Sequence, residues 1–327
     1  MDAFTEREQG VIQVRAPLPF PLRWINGYLI PDNKGWLLID PGLHTAEAEQ
    51  HWQAVFAELS IRPQDVHSIV LTHHHPDHYG LAGWMQQMTS APVLMAEKGY
   101  AQTQRMWGAG HRENAGAMLD FYSGHGLPAS LEADMSGHLL GFVELVSPQP
   151  EVRYIQPGES LELGGETYQI LEASGHAYGH LLFYRAASGV IFCGDHVMPH
   201  ISPNVSYLPG VDENPLDSFL KSLEQLQSLS VRVAYPGHRD PFINWSERIG
   251  QLLHHHQQRL QWFEERLLEP MSAYESCRAL FGDRLSIHQL RFALSETLAH
   301  LIFLEKSRKI KRCGETYIQY QRQGETP

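Results

Sequence analysis

A chain of 327 residues, 43% of them hydrophobic, can bury a sizeable core and fill one large domain plus a small one, or two of medium size. Its formal charge of −12 argues against a nucleic-acid surface and against docking on anionic membranes. Cys193, Cys277 and Cys313 are far apart and odd in number, matching neither a disulfide framework nor a CxxC zinc pattern. The N-terminus is polar and acidic without a signal-peptide core, and no apolar run reaches membrane-span length, so the expected compartment is the reducing cytoplasm.

Short β runs are expected at 11–14, 27–30 and 36–39, with Asp32–Gly35 as a turn between the last two. Asp40-Pro-Gly42 ends a strand, and 45–59 has helical character. A strand at 68–72 leads into a histidine-rich loop, then a helix at 79–89 and a strand at 92–95. This alternation implies helices packed on sheets. Residues 99–150 break the rhythm and read as an inserted, mainly helical segment rich in Met and aromatic side chains, placed to act as a lid or substrate wall. Strands resume at 152–155, 160–163, 167–171, 181–185 and 190–193. Asn214-Pro215 opens a helix with Asn as N-cap, a strand at 231–235 follows, and a long helix runs from about 246 to 268. Pro270 marks a boundary between a large unit, 1–268, and a tail, 269–327. In the tail, Ser272-x-x-Glu275 is a capping box. Helices at 286–292 and 295–305 and a hairpin at about 309–320 complete a winged-helix layout.

The chemistry is concentrated at Thr72-His-His-His-Pro-Asp-His78, which contains His73-x-His75-x-Asp77-His78. A His-x-His pair on an extended loop can turn both imidazoles toward one ion, and Asp77 and His78 can reach a second beside it. Mixed His and Asp ligands suit zinc, iron or manganese. Further candidates follow strands downstream, each next to a glycine that lets the backbone turn: His176, Asp195 and His238. Together they could fill two metal sites, with one carboxylate bridging. His196 would point away from such a site by strand alternation. His254-His-His256 look like a solvated stretch of helix. Tyr178 and His180 could line the pocket or pack. His200, Asn204 and Tyr207 lie in a long Pro-rich loop, 197–213, at the expected mouth.

The set Asp40-Pro-Gly42, His73-x-His75-x-Asp77-His78, His176, Asp195 and His238 resembles the metallo-β-lactamase superfamily in order and spacing, over about residues 11–250. The tail, including Glu296-Thr-Leu-Ala-His-Leu301, resembles the C-terminal winged helix of one branch. That branch holds the β-lactamase-like-protein-2 type endoribonuclease and acyl-carrier-protein thioesterases of polyketide pathways. The resemblance implies an α/β fold, an αββα sandwich of the metallo-β-lactamase type with a helical insert and a small C-terminal winged-helix domain. It implies that His73, His75 and His176 hold one divalent metal ion, that Asp77, His78 and His238 hold a second, and that Asp195 bridges. Zn2+ is the first choice of metal, with Fe or Mn as alternatives. Asp40 would support the ligands by hydrogen bond. The expected function is a dinuclear metal-dependent hydrolase using a metal-bound hydroxide, with Asp77 orienting it or accepting a proton.

Two substrates compete. The Met- and aromatic-rich insert and the acidic charge favour an acyl thioester or lactone, small or carrier-bound. The basic run Lys306, Arg308, Lys309, Lys311 and Arg312 would suit RNA or another phosphodiester. A third reading is a non-enzymatic regulator binding a partner or DNA through the winged helix; the complete set of ligand positions ranks it last. No membrane partner is expected, and a homodimer is left open.

Overall fold

The structure is a computed structural model describing residues 2–324. The first sheet has seven strands in chain order. They are β1 (Phe4–Glu6), β2 (Ile12–Pro17), β3 (Trp24–Asp32), β4 (Gly35–Ile39), β5 (Val66–Val70), β6 (Val93–Ala96) and β7 (Val152–Ile155). β1 to β4 pair antiparallel, and β4 to β7 pair parallel. Parallel neighbours need a crossover. α1 (Ala46–Glu58) supplies the first, capped by the Thr45 hydroxyl on the Ala48 N–H, and α2 (Pro76–Tyr79) and α3 (Ala82–Thr89) the second. The helix expected at 79–89 is thus two, and the first turn begins inside the histidine loop with Pro76 at its start.

The second sheet holds β8 (Ser160–Leu163), β9 (Glu166–Glu172), β10 (Leu181–Arg185), β11 (Val190–Gly194) and β12 (Val233–Pro236), in spatial order β12-β11-β10-β9-β8. α7 (Pro215–Gln227) crosses from β11 to its parallel neighbour β12, and α8 (Trp245–Arg266) follows. Asn214 precedes α7 as expected, but its side chain makes no capping bond.

Strand alternation builds the layers. Tyr28 and Ile30 of β3, with Ile39 and Val70, face Ile170, Phe183 and Phe192 of the other sheet. Leu29 points the other way, into the helices bearing Trp52, Phe56 and Met85. On the outer face of the second sheet, Phe219, Leu223, Ile249 and Leu252 cover Leu182, Ile191 and Cys193. The order is helix, sheet, sheet, helix.

The insert between β6 and β7 comprises α4 (Glu97–Trp107), α5 (His111–Gly124) and α6 (Glu132–Leu140). It is not a free lid. Met118, Tyr122 and Met135 share a core with Leu290, Leu294, Leu298 and Tyr320 of the tail, and the Tyr122 and Ser295 hydroxyls bond at 2.6 Å. The tail also departs from expectation. After β13 (Met271–Ser272) and α9 (Ala273–Phe281), the two helices expected at 286–292 and 295–305 are one, α10 (Ile287–Lys306). No Gly or Pro interrupts it, and Ser286 with Gln289 caps its start reciprocally. The hairpin of β14 (Ile310–Cys313) and β15 (Gln319–Arg322) gains β13 as a third strand. The expected layout of three helices then a hairpin is therefore two helices and a three-stranded sheet following α8.

Candidate metal centre

Strand direction explains why residues scattered from 40 to 238 meet. β4 and β5 run parallel in one sheet, and β9, β11 and β12 share a direction in the other. Asp40, the 73–78 loop, His176, Asp195 and His238 each follow the carboxyl end of one of these strands, so they gather on one rim of the sandwich. Turning off the strands requires unusual backbone. Asp40 itself has φ +50, a left-handed conformation that Asp tolerates better than most. At Gly237 any side chain is excluded: a Cβ would lie 2.2 Å from Asp195 Oδ1 and 2.6 Å from His78 Cε1.

Three groups converge with their ligand atoms within 4.8 Å of one another: His73, His75 and His176; His73, His78 and Asp195; and Asp77, His78 and His238. His73 Nε2 is 3.0 Å from His75 Nδ1. Asp195 reaches across, with Oδ1 3.3 Å from His78 Nε2 and Oδ2 3.4 Å from His238 Nε2 and 3.9 Å from His176 Nε2. His238 Nε2 also lies 3.1 Å from Asp77 Oδ2.

The rear nitrogens are fixed. His78 Nδ1 donates to Asp40 Oδ2 at 2.8 Å, His176 Nδ1 to the Asn204 carbonyl at 2.8 Å, and His238 Nδ1 to the Trp24 carbonyl at 3.0 Å. His73 Nδ1 meets the Thr72 hydroxyl at 2.9 Å, which donates to Asp40 Oδ2 at 2.6 Å, while the Thr72 N–H donates to Oδ1 at 2.8 Å. Asp40 therefore orients both His73 and His78. Each bond directs an Nε2 lone pair inward, as metal-ligating imidazoles require.

The residues fit a pair of cations. His78 Nε2, His176 Nε2 and Asp195 Oδ1 are buried with no hydrogen-bond partner, an arrangement that costs free energy unless something is coordinated there. The charges point the same way. Burial opposes the ionised form of Asp195, but His238 and His78 outweigh it and hold the carboxyl well below its usual range. Burial likewise opposes protonation of His238, but Asp195 and Asp77 push it up to about 10, and His78 rises for the same reason. His73 and His75 go the other way, held low by burial and by neighbouring imidazoles. The carboxylates thus demand positive charge, which protons on imidazole can supply and divalent cations displace.

The structure brings together every residue expected at the metals. It separates those expected at the mouth. Tyr178 is exposed and lines a cavity beside His75 and His176. His200 is exposed and lines neither of the two cavities adjoining His75. Asn204 faces away, its Nδ2 donating to Glu296 Oε2 at 2.9 Å and to the Phe292 carbonyl at 3.2 Å, so it anchors the loop that holds His176. Tyr207 stacks on Phe121 with ring centroids 5.3 Å apart. His196 bonds the Ser222 hydroxyl at 3.0 Å, outside the metal groups. His256, expected in a solvated stretch, is fully buried and donates from Nδ1 to His300 Nε2 at 3.1 Å. His180 does not line the pocket: it is buried, stacked on His73 with centroids 4.6 Å apart, and accepts the Asp195 N–H at 3.2 Å. Sequence reasoning passed over the roles of Thr72 and Glu296, and saw in Gly237 a turn residue but not the close approach of Asp195 and His78. Only the glycine before His238 carried a local signal.

This rim of histidines and aspartates at the carboxyl ends of a helix-clad double sheet is a metal-dependent hydrolase site, and the chain belongs to the metallo-beta-lactamase superfamily. The superfamily model matches residues 24–238, and a metallo-beta-lactamase-like C-terminal domain model matches 260–323. A metallo-beta-lactamase family protein of Thermus thermophilus is 35% identical with a TM-score of 0.85, the match covering 96% of this chain and 99% of that one. A beta-lactamase domain protein of Burkholderia ambifaria is 31% identical with a TM-score of 0.87, covering 98% and 94%. Among named relatives, the chain is 26% identical to the probable metallo-hydrolase YqjP of Bacillus subtilis, over 95% of this chain and 97% of that protein. It is 25% identical to an atrochrysone carboxyl ACP thioesterase of Aspergillus fumigatus, over 74% of this chain and 59% of that protein.

Proposed function

We propose that the protein hydrolyses acyl thioesters at a dinuclear metal centre, with His73, His75 and His176 holding one ion, Asp77, His78 and His238 the other, and Asp195 bridging. The observation that carries the reading is the convergence of these seven side chains beside an apolar cavity bounded by Met106, Trp107 and Phe142. When bound, a pair of divalent ions, Zn2+ in first place, supplies an activated water and polarisation of the acyl carbonyl. The chain does the rest. Asp40 and Thr72 fix the imidazoles. Asp77, half-buried and bonded to His238, is placed to orient the water and take its proton. The reaction adds water oxygen to the acyl carbon and breaks the C–S bond, giving a carboxylate, a thiol and one proton. Residues 1–268 would form the catalytic unit and 269–327 a winged-helix-like appendage, a reading supported by the order short strand, two helices, hairpin within 269–327.

The rival reading, RNA cleavage, draws on the basic run near the hairpin. Three of its side chains are already matched: Lys306 with Glu213 at 3.0 Å, Lys309 with Glu264 at 2.5 Å, and Arg312 with Glu305 at 2.8 Å. Little free charge is left for a phosphate backbone. The names of two relatives, the A. fumigatus thioesterase and a hydroxyacylglutathione hydrolase of Rhodobacter capsulatus that is 28% identical over 52% of this chain and 49% of its own length, also favour acyl chemistry. The test is one substrate panel on metal-reconstituted protein: acyl-CoA thioesters, lactones, bis-p-nitrophenyl phosphate and single-stranded RNA. Thioester turnover abolished by a chelator is expected. RNA turnover without acyl turnover would reverse the assignment.

A further inference from the structure

Two cavities meet at His75. One runs past His176 and Tyr178 and carries Lys98, Glu172 and Asp212 on its walls. The other is walled by Met106, Trp107, Leu139, Phe142, Leu208 and Phe292. At the second cavity stands one charged side chain, Arg291 of α10, and no carboxylate lines it among the described residues.

Arg291 is unusual. Its Nε is sealed from solvent with no acceptor, and no ion pair or hydrogen bond is formed by its guanidinium among the described residues. Its near neighbours are aromatic: the guanidinium lies 4.2 Å from the Phe292 ring centre and 5.5 Å from that of Phe142. The titratable groups that feel its charge are Tyr122, His138 and His288, none of them anionic at neutral pH. Burial, followed by this unbalanced cation, holds His138 down to about 4. A planar five-donor cation set in an apolar wall without a partner is a costly arrangement for stability and a fitting one for an anionic ligand group.

We propose that Arg291 is a carboxylate receptor closing the acyl pocket, and that the preferred substrates are thioesters whose acyl chain ends in a carboxylate; this rests on the thioesterase reading above. A lone guanidinium matches one carboxylate bidentately, and no paired carboxylate competes for it, unlike Lys98 of the other cavity, which is held by Glu172 at 2.7 Å. The acyl carbonyl then sits at the metal rim, the apolar chain crosses Trp107 and Phe142, and the terminal carboxylate meets Arg291.

The experiment compares glutaryl-CoA and valeryl-CoA, five-carbon acyl chains that differ in the terminal carboxylate, on the full-length metal-reconstituted protein. We expect wild type to favour glutaryl-CoA in kcat/KM. Arg291→Gln should cut the glutaryl-to-valeryl ratio by roughly tenfold or more, chiefly through KM, and Arg291→Lys should restore part of it. Equal effects on both substrates would mark Arg291 as merely structural and overturn the proposal, as would an unchanged ratio. If wild type turns over neither thioester, the thioesterase reading fails separately. Calorimetric titration with glutarate and with inorganic phosphate then decides the receptor. Glutarate binding lost in Arg291→Gln and retained in part by Arg291→Lys upholds it; Arg291-independent binding, or Arg291-dependent binding of phosphate alone, overturns it.

Discussion

At the scale of single residues the site is held by partners that are not themselves ligands. Gly237→Ala places a methyl carbon on Asp195 Oδ1 and His78, so we expect folded protein that binds fewer than two ions; circular dichroism with elemental analysis checks both halves. Asp40→Asn keeps an acceptor for Thr72 but loses the carboxylate that aligns His78 and, through Thr72, His73. Metal affinity should fall roughly 10–100-fold with the fold retained, measured by competition with a chromogenic chelator. The ligands were legible in sequence because four of them occupy six consecutive positions and the others each follow a strand and a glycine. Thr72, His180 and Asn204 were not legible in these roles, because a hydrogen-bond partner 15 to 92 positions away leaves no local pattern.

At the scale of elements the informative contact is between the 197–213 loop and α10. His176 leans on the Asn204 carbonyl, Asn204 on Glu296, and Glu296 pairs with Arg259 of α8. Burial raises the Glu296 carboxyl while Arg259 and Asn204 offset it. Glu296→Ala leaves Arg259 without its partner and the loop without its anchor. We expect a loss of about 3 kcal/mol in unfolding free energy, read by denaturant titration, together with weaker metal retention. Most strands and helices followed from apolar periodicity and turn residues. The split at 79–89 and the fusion at 286–305 did not, since the first depends on Pro76 starting a turn within the ligand loop, and the second on tertiary burial of Ala293 and Leu294, which join the expected halves.

At the scale of the whole molecule, the insert and the tail form one core, so the two parts separated in sequence are not separable in stability. A fragment ending at residue 268 would expose Met118, Tyr122, Met135 and Phe263, and should aggregate or unfold without a cooperative transition. Acid stability has an identifiable contributor. Burial, followed by neighbouring imidazoles and Arg259, holds His256 at about 2; burial holds His300 at about 3 against the raising bond to the Glu296 carbonyl, with Arg259 and His255 adding to the depression. Both are below the unfolded value, so their contribution is whole above pH ~6.5 and is lost as pH falls toward the folded values, at about 1.4 kcal/mol per unit per histidine. His300→Gln should give a shallower fall in stability between pH 6.5 and 4.5, and an unchanged slope would remove this pair from the explanation. None of this interlock was legible in the sequence, where His256 looked solvated and the insert looked like a lid or substrate wall.

The most direct test is the number of ions bound per chain after reconstitution and desalting, measured by elemental analysis for wild type, His238→Ala and Asp195→Ala. We expect two ions for wild type, close to one for His238→Ala, and one or fewer for Asp195→Ala, because Asp195 reaches His78, His176 and His238. A single ion in wild type, with the same content in His238→Ala, would contradict the dinuclear centre.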